Sequence, residues 1–277
     1  MSKTNLGLNW GWACVLQARA HDWCAHPVTR FRAGDHSLEV GVGGTWHCEQ
    51  RLSAEVIDLL NLFLPLVARV EALAIAQLGQ SLDGRIATES GASHYINGPE
   101  ARTHLHRLRA VVDAVVVGVG TVNDDDPLLT VRHAEGRNPV RVVLDPNARV
   151  RGSSRLFHDG AAPTLHMVAR GAGVGRVLLP YGSEGQFEPA VVLDWLQAQG
   201  LRSVLVEGGG RTVSRFMQAG VLDRLHLLVA PLLIGSGRPG LQLPPVTTLD
   251  EALRPPCRRY RCGDDTLFDL DLRAANA

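Results

Sequence analysis

Lysine is almost missing from this chain. Of the 28 basic side chains in its 277 residues, Lys3 is the only lysine and the rest are arginines. A Schiff-base lysine or a P-loop lysine is therefore excluded from everything after residue 3. Net charge is missing too, with 28 basic residues against 28 acidic ones. That balance gives no reason to expect a nucleic-acid partner or a polybasic membrane anchor. The five cysteines, Cys14, Cys24, Cys48, Cys257 and Cys262, are odd in number and contain no C-x-x-C pair. Neither a disulfide framework nor a zinc ribbon follows, no metal site is expected, and a reducing cytoplasm is the natural compartment. Long apolar runs are also absent. The most apolar window, Val56 to Leu78, is broken by Asp58, Asn61, Pro65, Arg69 and Glu71, which argues against a membrane span. No basic stretch followed by an apolar core opens the chain, so no signal peptide is expected.

Aromatic residues are scarce overall but crowded at the start: Trp10, Trp12, Trp23 and Trp46 are four of the five tryptophans. Residues 1–70 therefore read as a unit of their own, either a small domain or a packing arm. Residues 7–19 suit a helix. Ser37–Val42 and Thr45–Glu49 suit a hairpin across Gly43 and Gly44. Ala54–Leu64 suits a helix with Ser53 at its N-cap and Pro65 at its end. The histidines here have no metal-ligand spacing.

The most informative stretch is Ser203 to Phe216, SVLVEGGGRTVSRF. Val204, Leu205 and Val206 form the short apolar run of a covered parallel strand. Glu207 sets a carboxylate at its carboxyl end. Gly208, Gly209 and Gly210 then form a glycine loop opening a helix from Arg211 to Ala219. Free N–H groups and the helix dipole make such a terminus an anion site, and ligands of open α/β sheets sit at strand carboxyl ends. A phosphate or pyrophosphate resting on Gly208–Thr212 is one reading; a tight structural connection is the other. The spacing is neither G-x-G-x-x-G nor G-x-x-x-x-G-K-[ST].

Residues 71–277 alternate strand and helix patterns, which predicts an α/β sheet. Ala72–Leu78 and Asp113–Gly118 read as buried strands. Between them Pro99 opens a helix from Glu100 to Arg109. His104 and His106 lie two apart on it and cannot share a face, so they do not form a metal pair. After Gly118 the chain reads as a Gly-x-Gly-Thr turn with an acidic cluster, Asp124, Asp125 and Asp126. Such a cluster is either a solvated turn or part of a polar ligand site with Arg132. Val140–Asp145, Thr164–Ala169, Val177–Leu179, Asp223–Ala230 and Thr266–Leu272 read as strands, and Glu188–Gln199 as a helix. Arg170 is either a surface arginine or a contact for a ribose 2′-phosphate.

The ordered set Ser81-Leu82-Asp83-Gly84-Arg85-Ile86-Ala87, Gly120-Thr121-Val122, Asp125-Asp126-Pro127, Leu129-Thr130-Val131-Arg132, Arg141-Val142-Val143-Leu144-Asp145 and Glu207-Gly208-Gly209-Gly210 resembles the reductase half of the riboflavin-biosynthesis deaminase/reductase family. Order and spacing match from about Glu71 onward. The resemblance implies a three-layer dihydrofolate-reductase-like domain with a mostly parallel central sheet, following an N-terminal extension of unassigned fold. It implies NADPH-dependent reduction of a ribosylamino-pyrimidine 5′-phosphate, either 5-amino-6-(5-phosphoribosylamino)uracil or its 2,5-diamino precursor. It also implies a small-molecule substrate and a homodimer. Carried over by position, Gly79, Tyr95, Thr121, Asp125, Gly208, Gly209, Gly210, Arg211 and Thr212 contact the cofactor. Ser93, Arg109, Leu129, Arg132 and Glu207 contact the substrate, and Glu207 and Asp125 are the acid/base candidates. Gln77 stands where the family often has lysine, and Tyr95 where it usually has tryptophan. His133-Ala134-Glu135 fits H-x-E, but no P-C-x-x-C follows, so zinc deaminase chemistry is not expected. Two other readings stay open: a related NADPH reductase acting on a pterin, folate or specialised-metabolite precursor, and a non-catalytic nucleotide-binding relative.

Overall fold

A computed structural model describes residues 7–33, 36–93, 96–171, 173 and 175–273. The chain divides into two compact units, Met1–Ala72 and Leu73–Ala277.

The first unit contains α1 (Leu8–Arg19), β1 (Val28–Ala33), β2 (His36–Gly41), β3 (Trp46–His47) and α2 (Ala54–Val67). The strands pair antiparallel in the order β1-β2-β3. Trp12 of α1 meets Phe63 of α2 edge to face at 5.3 Å, and Trp23 packs against Phe31 at 6.2 Å. Trp12 and Trp23 are thus buried together with an aliphatic core that includes Leu38, Val40, Leu60 and Leu64. Strand β1 has no counterpart in the sequence reading. Helix α2 also passes through Pro65 rather than stopping there. A proline costs only one backbone bond so near a helix end, and burial of Leu64, Leu66 and Val67 favours the last turn.

The second unit contains β4 (Leu73–Ser81), β5 (Arg85–Thr88), α3 (Pro99–Val111), β6 (Ala114–Gly118), α4 (Val119–Asp125), β7 (Val140–Leu144), β8 (Thr164–Val168) and β9 (Arg176–Leu178). It continues with α5 (Pro189–Ala198), β10 (Ser203–Val206), α6 (Gly210–Gln218), β11 (Arg224–Ala230), β12 (Gly237–Pro239), β13 (Cys257–Cys262) and β14 (Asp265–Asp271). Nine strands form one sheet in the order β13-β14-β11-β4-β10-β6-β7-β8-β9. From β11 to β9 every neighbouring pair is parallel. Strand β14 runs antiparallel to both β11 and β13, and β12 pairs with β5 apart from the main sheet.

Period-two alternation sorts the side chains onto two faces. Ala74, Ala76 and Leu78 of β4 join Val116, Val206, Val192, Leu196, Val213 and Phe216 in one apolar core under α5 and α6. The intervening residues face α3. Because Val206 is level with Ala76, Glu207 continues β10 beside Gln77, and both belong to the α3 face. Strand β10 comes late in the chain yet lies between β4 and β6. That reversal of strand order opens a crevice at the carboxyl ends. Among the described residues no helix is long and apolar enough to cross a membrane.

Candidate active site

A cleft of about 1030 Å³ lies at the carboxyl ends of β4, β10, β6 and β7. It is lined by Gln77 and Gly79 of β4, by Glu207 through Thr212 after β10, by Thr121 and Asp125 of α4, and by Ser93, Arg109 and Leu129. These residues come from segments far apart in sequence, and the late insertion of β10 brings them together.

The inner end is built around a buried ion pair. Arg109 of α3 and Glu207 have side-chain exposures of 8% and 4% and approach to 2.9 Å. The guanidinium donates Nε–H and Nη2–H to the carboxylate at about 3.1 Å, and its Nη1 donates to the Thr130 carbonyl at 3.1 Å. This fork-on-carboxylate geometry is a strong one. It also engages the donors of Arg109 within the chain, so its expected contact with a substrate phosphate competes with Glu207 and Thr130. Gln77 sits beside this pair, 8% exposed, and its amide finds no hydrogen-bond partner among the described residues.

The glycine loop owes its composition to two separate demands. Gly208 has φ +105°, a region that disfavours side chains. Gly210 lies against the Gly240 carbonyl, and a Cβ there would collide with it. Gly209 is the N-cap of α6 with no side-chain cap, and its N–H is taken by Thr121 Oγ1 at 3.0 Å. The first turn of α6 is thus left to meet a ligand.

The three consecutive aspartates have three fates. Asp124 pairs with Arg238 at 3.2 Å. Asp126, at φ +41°, accepts Arg155 Nε–H at 2.7 Å and the Arg155 backbone N–H at 2.8 Å. The backbone bond, with the guanidinium beside it, holds the Asp126 carboxyl below the ordinary range. Asp124 and Asp125 both line the cleft, whereas Asp126 does not. The expected Gly-x-Gly-Thr turn is instead helix α4, because Val119 and Val122 are buried and burial outweighs weak propensity.

Leu129 is buried in the left-handed region at φ +55°, and such strain collects at functional sites. Arg132 does not line the cleft. It is exposed, donates its backbone N–H to His106 Nδ1 at 2.7 Å and bonds Thr130 Oγ1 at 2.6 Å. Burial, with Arg109 and Arg132 close by, pushes the His106 imidazole down to about 3, so the ring stays neutral and accepts that bond. Tyr95 lies outside the described residues. Arg170 is exposed, stacks over Tyr181 at 5.4 Å and does not line the cleft. The sequence reading did not single out Arg149, Arg151 and Asn123, which also border the cleft. Nothing in their local pattern marks them.

Residues 73–258 match the family described as the RibD C-terminal domain. The chain belongs to this family. It is 32% identical over 215 residues to riboflavin biosynthesis protein RibD of Aquifex aeolicus, covering 76% of this chain and 58% of the relative. It is also 32% identical over 213 residues to 2,5-diamino-6-ribosylamino-4(3H)-pyrimidinone 5′-phosphate reductase of Methanothermobacter thermautotrophicus, covering 72% of this chain and 97% of that protein. Acinetobacter baumannii RibD superposes with a TM-score of 0.64 at 27% identity, over 78% of this chain and 62% of the other. The chain thus spans a little over half the length of RibD relatives and nearly all of the archaeal reductase. The α/β architecture of the second unit is the one the resemblance implied.

Proposed function

We propose that this chain is an NADPH-dependent oxidoreductase that reduces a ribosylamino-pyrimidine 5′-phosphate to the ribitylamino compound, a step of riboflavin biosynthesis. The observation that carries this reading is the cleft at the strand-order reversal. It joins an uncapped helix terminus after Gly208–Gly210 to the buried Arg109–Glu207 pair. The family and the name of the archaeal relative, a pyrimidinone 5′-phosphate reductase, support a nicotinamide cofactor and a small-molecule substrate; NADPH and the residue roles are our assignment.

The lining fits a polyanionic dinucleotide. The cleft is lined by Arg109, Arg149, Arg151, Arg211, Arg215 and Arg238 against Asp124, Asp125, Glu184 and Glu207. Gly208–Thr212 would hold the pyrophosphate at the α6 terminus, with Gly79, Thr121 and Asp125 along the cofactor. When bound, the nicotinamide supplies a hydride. Ser93, Leu129 and Gln77 position the pyrimidine, and Arg132 reaches its phosphate from the rim. Glu207, fixed by Arg109, orients the ring-opened sugar chain through its carboxylate. Asp125, exposed and lining the cleft, delivers a proton to nitrogen as C1′ is reduced. Orientation of this kind carries several kcal/mol of a barrier.

The test is NADPH oxidation followed by absorbance with the deaminated pyrimidine phosphate, its diamino counterpart and dihydrofolate. Turnover of either pyrimidine supports the assignment; turnover of dihydrofolate alone replaces it with a pterin reductase. The buried neutral amide of Gln77 beside Glu207 favours that second reading, since the ring contact there lacks a cation. We include a homodimer in the proposal; sedimentation at the mass of one 29.9 kDa chain would remove it.

A further inference from the structure

Polar ties hold α3 to the sheet at three places along its length. At its N-terminal end Asp265 of β14 accepts the Gly98 N–H at 2.9 Å and the Asn97 amide at 3.2 Å. At its C-terminal end Arg109 lies on Glu207. Between them His104 reaches β11, where its Nε2 meets His226 Nδ1 at 3.0 Å. His226 Nε2 in turn stands 3.2 Å from Asp269 Oδ1 of β14, an ion-pair distance off the line of a full hydrogen bond. Asp269 is itself gripped by Arg224, whose Nε–H and Nη2–H it accepts. His104, His226, Asp269 and Arg224 are all buried, and none of them lines the cleft.

Apolar packing fixes α3 weakly by itself. Leu108 is the one leucine among its buried residues, beside Ala101, Ala110 and Val111. Alanines make low ridges, which resist sliding poorly. His104 occupies the middle of the buried stripe Ala101, His104, Leu108 and Val111, and its link tolerates one geometry. Burial pushes both imidazoles down from their ordinary value, so each ring is neutral, with one donor and one acceptor. The Asp269 carboxylate keeps the proton of His226 on Nε2. His226 Nδ1 is then the acceptor, and His104 donates from its Nε2. A slip of α3 by one residue, about 1.5 Å along its axis and about 100° around it, would break that bond between two buried nitrogens, which is costly.

Strand register puts this link in the same row as the inner end of the cleft. His226 is level with Gln77 of β4 and with Asp269 of β14, and Glu207 continues β10 beside Gln77. Asp269, His226, Gln77 and Glu207 thus cross four adjacent strands on the face under α3. His104 and Arg109 are five residues apart on the helix, about 7.5 Å, and their partners are two strands apart, about 10 Å. The helix is therefore pinned at two points of one row. We propose that the His104–His226–Asp269 link is a positioning device that sets the register of α3, and so holds Arg109, and through it Glu207, in the geometry the reduction needs. The proposal rests on the reading of the Arg109–Glu207 end of the cleft as the pyrimidine site.

The test uses H104L/H226L in the full chain. Both rings are lost but no charge is stranded, because Asp269 keeps Arg224. Exchanging a buried polar pair for apolar side chains of similar size is about neutral in stability. The urea midpoint and NADPH binding, followed by fluorescence, are expected to hold. Against that, kcat for the pyrimidine phosphate falls by about 10- to 100-fold, the scale of a misplacement of about 1 Å. The Arg109 Nε–H signal, identified in proton–nitrogen NMR spectra by its loss in R109K, is expected to move. Of the single variants, H226N, whose Oδ1 can still accept from His104, keeps more of kcat than H226L. Unchanged kcat in the double variant overturns the proposal. So does a loss of kcat that only tracks a loss of folded protein, the result of a merely structural role, and so does a lost kcat with an unmoved Arg109 signal. A wild-type chain that turns over neither pyrimidine overturns the assigned reaction instead. The Arg109 signal then decides the register, and if it stays unmoved in the double variant the positioning role falls as well.

Discussion

The two ends of the cleft use arginine in opposite ways. At the inner end Arg109 is buried and committed to Glu207 and the Thr130 carbonyl. At the outer end Arg149 and Arg151 stand exposed on a turn whose backbone carries the holding bonds. A guanidinium buried on a carboxylate organises a site, because removing either partner strands a charge. A guanidinium kept free in water on a fixed backbone stands ready for a ligand. The residue type is the same; its partners decide its task.

The comparison breaks most sharply at the pair itself. R109A leaves the Glu207 carboxylate buried alone and is expected to cost about 3–5 kcal/mol in urea unfolding, with loss of pyrimidine turnover. The double variant R109M/E207M should recover most of that stability without recovering turnover. Recovery of turnover would remove the pair from the chemistry. Next in size, D145A strands two N–H groups of the outer turn and should cost about 1–3 kcal/mol. It should also lower NADPH affinity while leaving the Arg149 and Arg151 side chains present, which separates pre-organisation from charge.

Q77L should change stability by less than about 1 kcal/mol, since the amide has no partner to lose. Its effect is expected in KM for the pyrimidine, with NADPH affinity unchanged. An unchanged KM would mean that the ligand does not reach this amide. The last effect is confined to acid. Burial, with Arg109 and Arg132 close by, holds His106 at about 3 in the folded chain, against an ordinary value of about 6.5 when unfolded. Between those values the unfolded chain binds the extra proton, so stability is fully present above pH 6.5 and declines as pH falls toward 3. H106N should flatten the acid side of the stability profile relative to the native chain over that window; an unaltered slope would show that burial and the neighbouring Arg109 and Arg132 do not depress this ring.

The central strands were legible because Val204–Val206 and Val115–Val117 are apolar runs that only a covered parallel sheet accommodates. The glycine loop was legible for a related reason, although structure assigned its glycines to positive φ at Gly208 and to the Gly240 carbonyl at Gly210. Helix α4 was hidden because Gly120, Asn123 and Asp124 are poor helix formers, rescued by two buried valines. Strand β13, CRRYRC, was hidden because it lies at the sheet's edge, where charged side chains are tolerated. The site's electrostatics were hidden for another reason. Arg109 and Glu207 are 98 residues apart, and composition does not reveal which arginine meets which carboxylate.

The position of β10 also bears on how the molecule is made. During synthesis β4 and β6 emerge roughly a hundred residues ahead of the strand that must lie between them. Until Ser203–Val206 arrives, each can offer an open edge to the wrong neighbour, and a nascent chain paused before it would be prone to mispairing. Joining β4 to β6 and assembling the cleft are then a single late event. A chain truncated near residue 200 should be protease-sensitive where the full chain is protected.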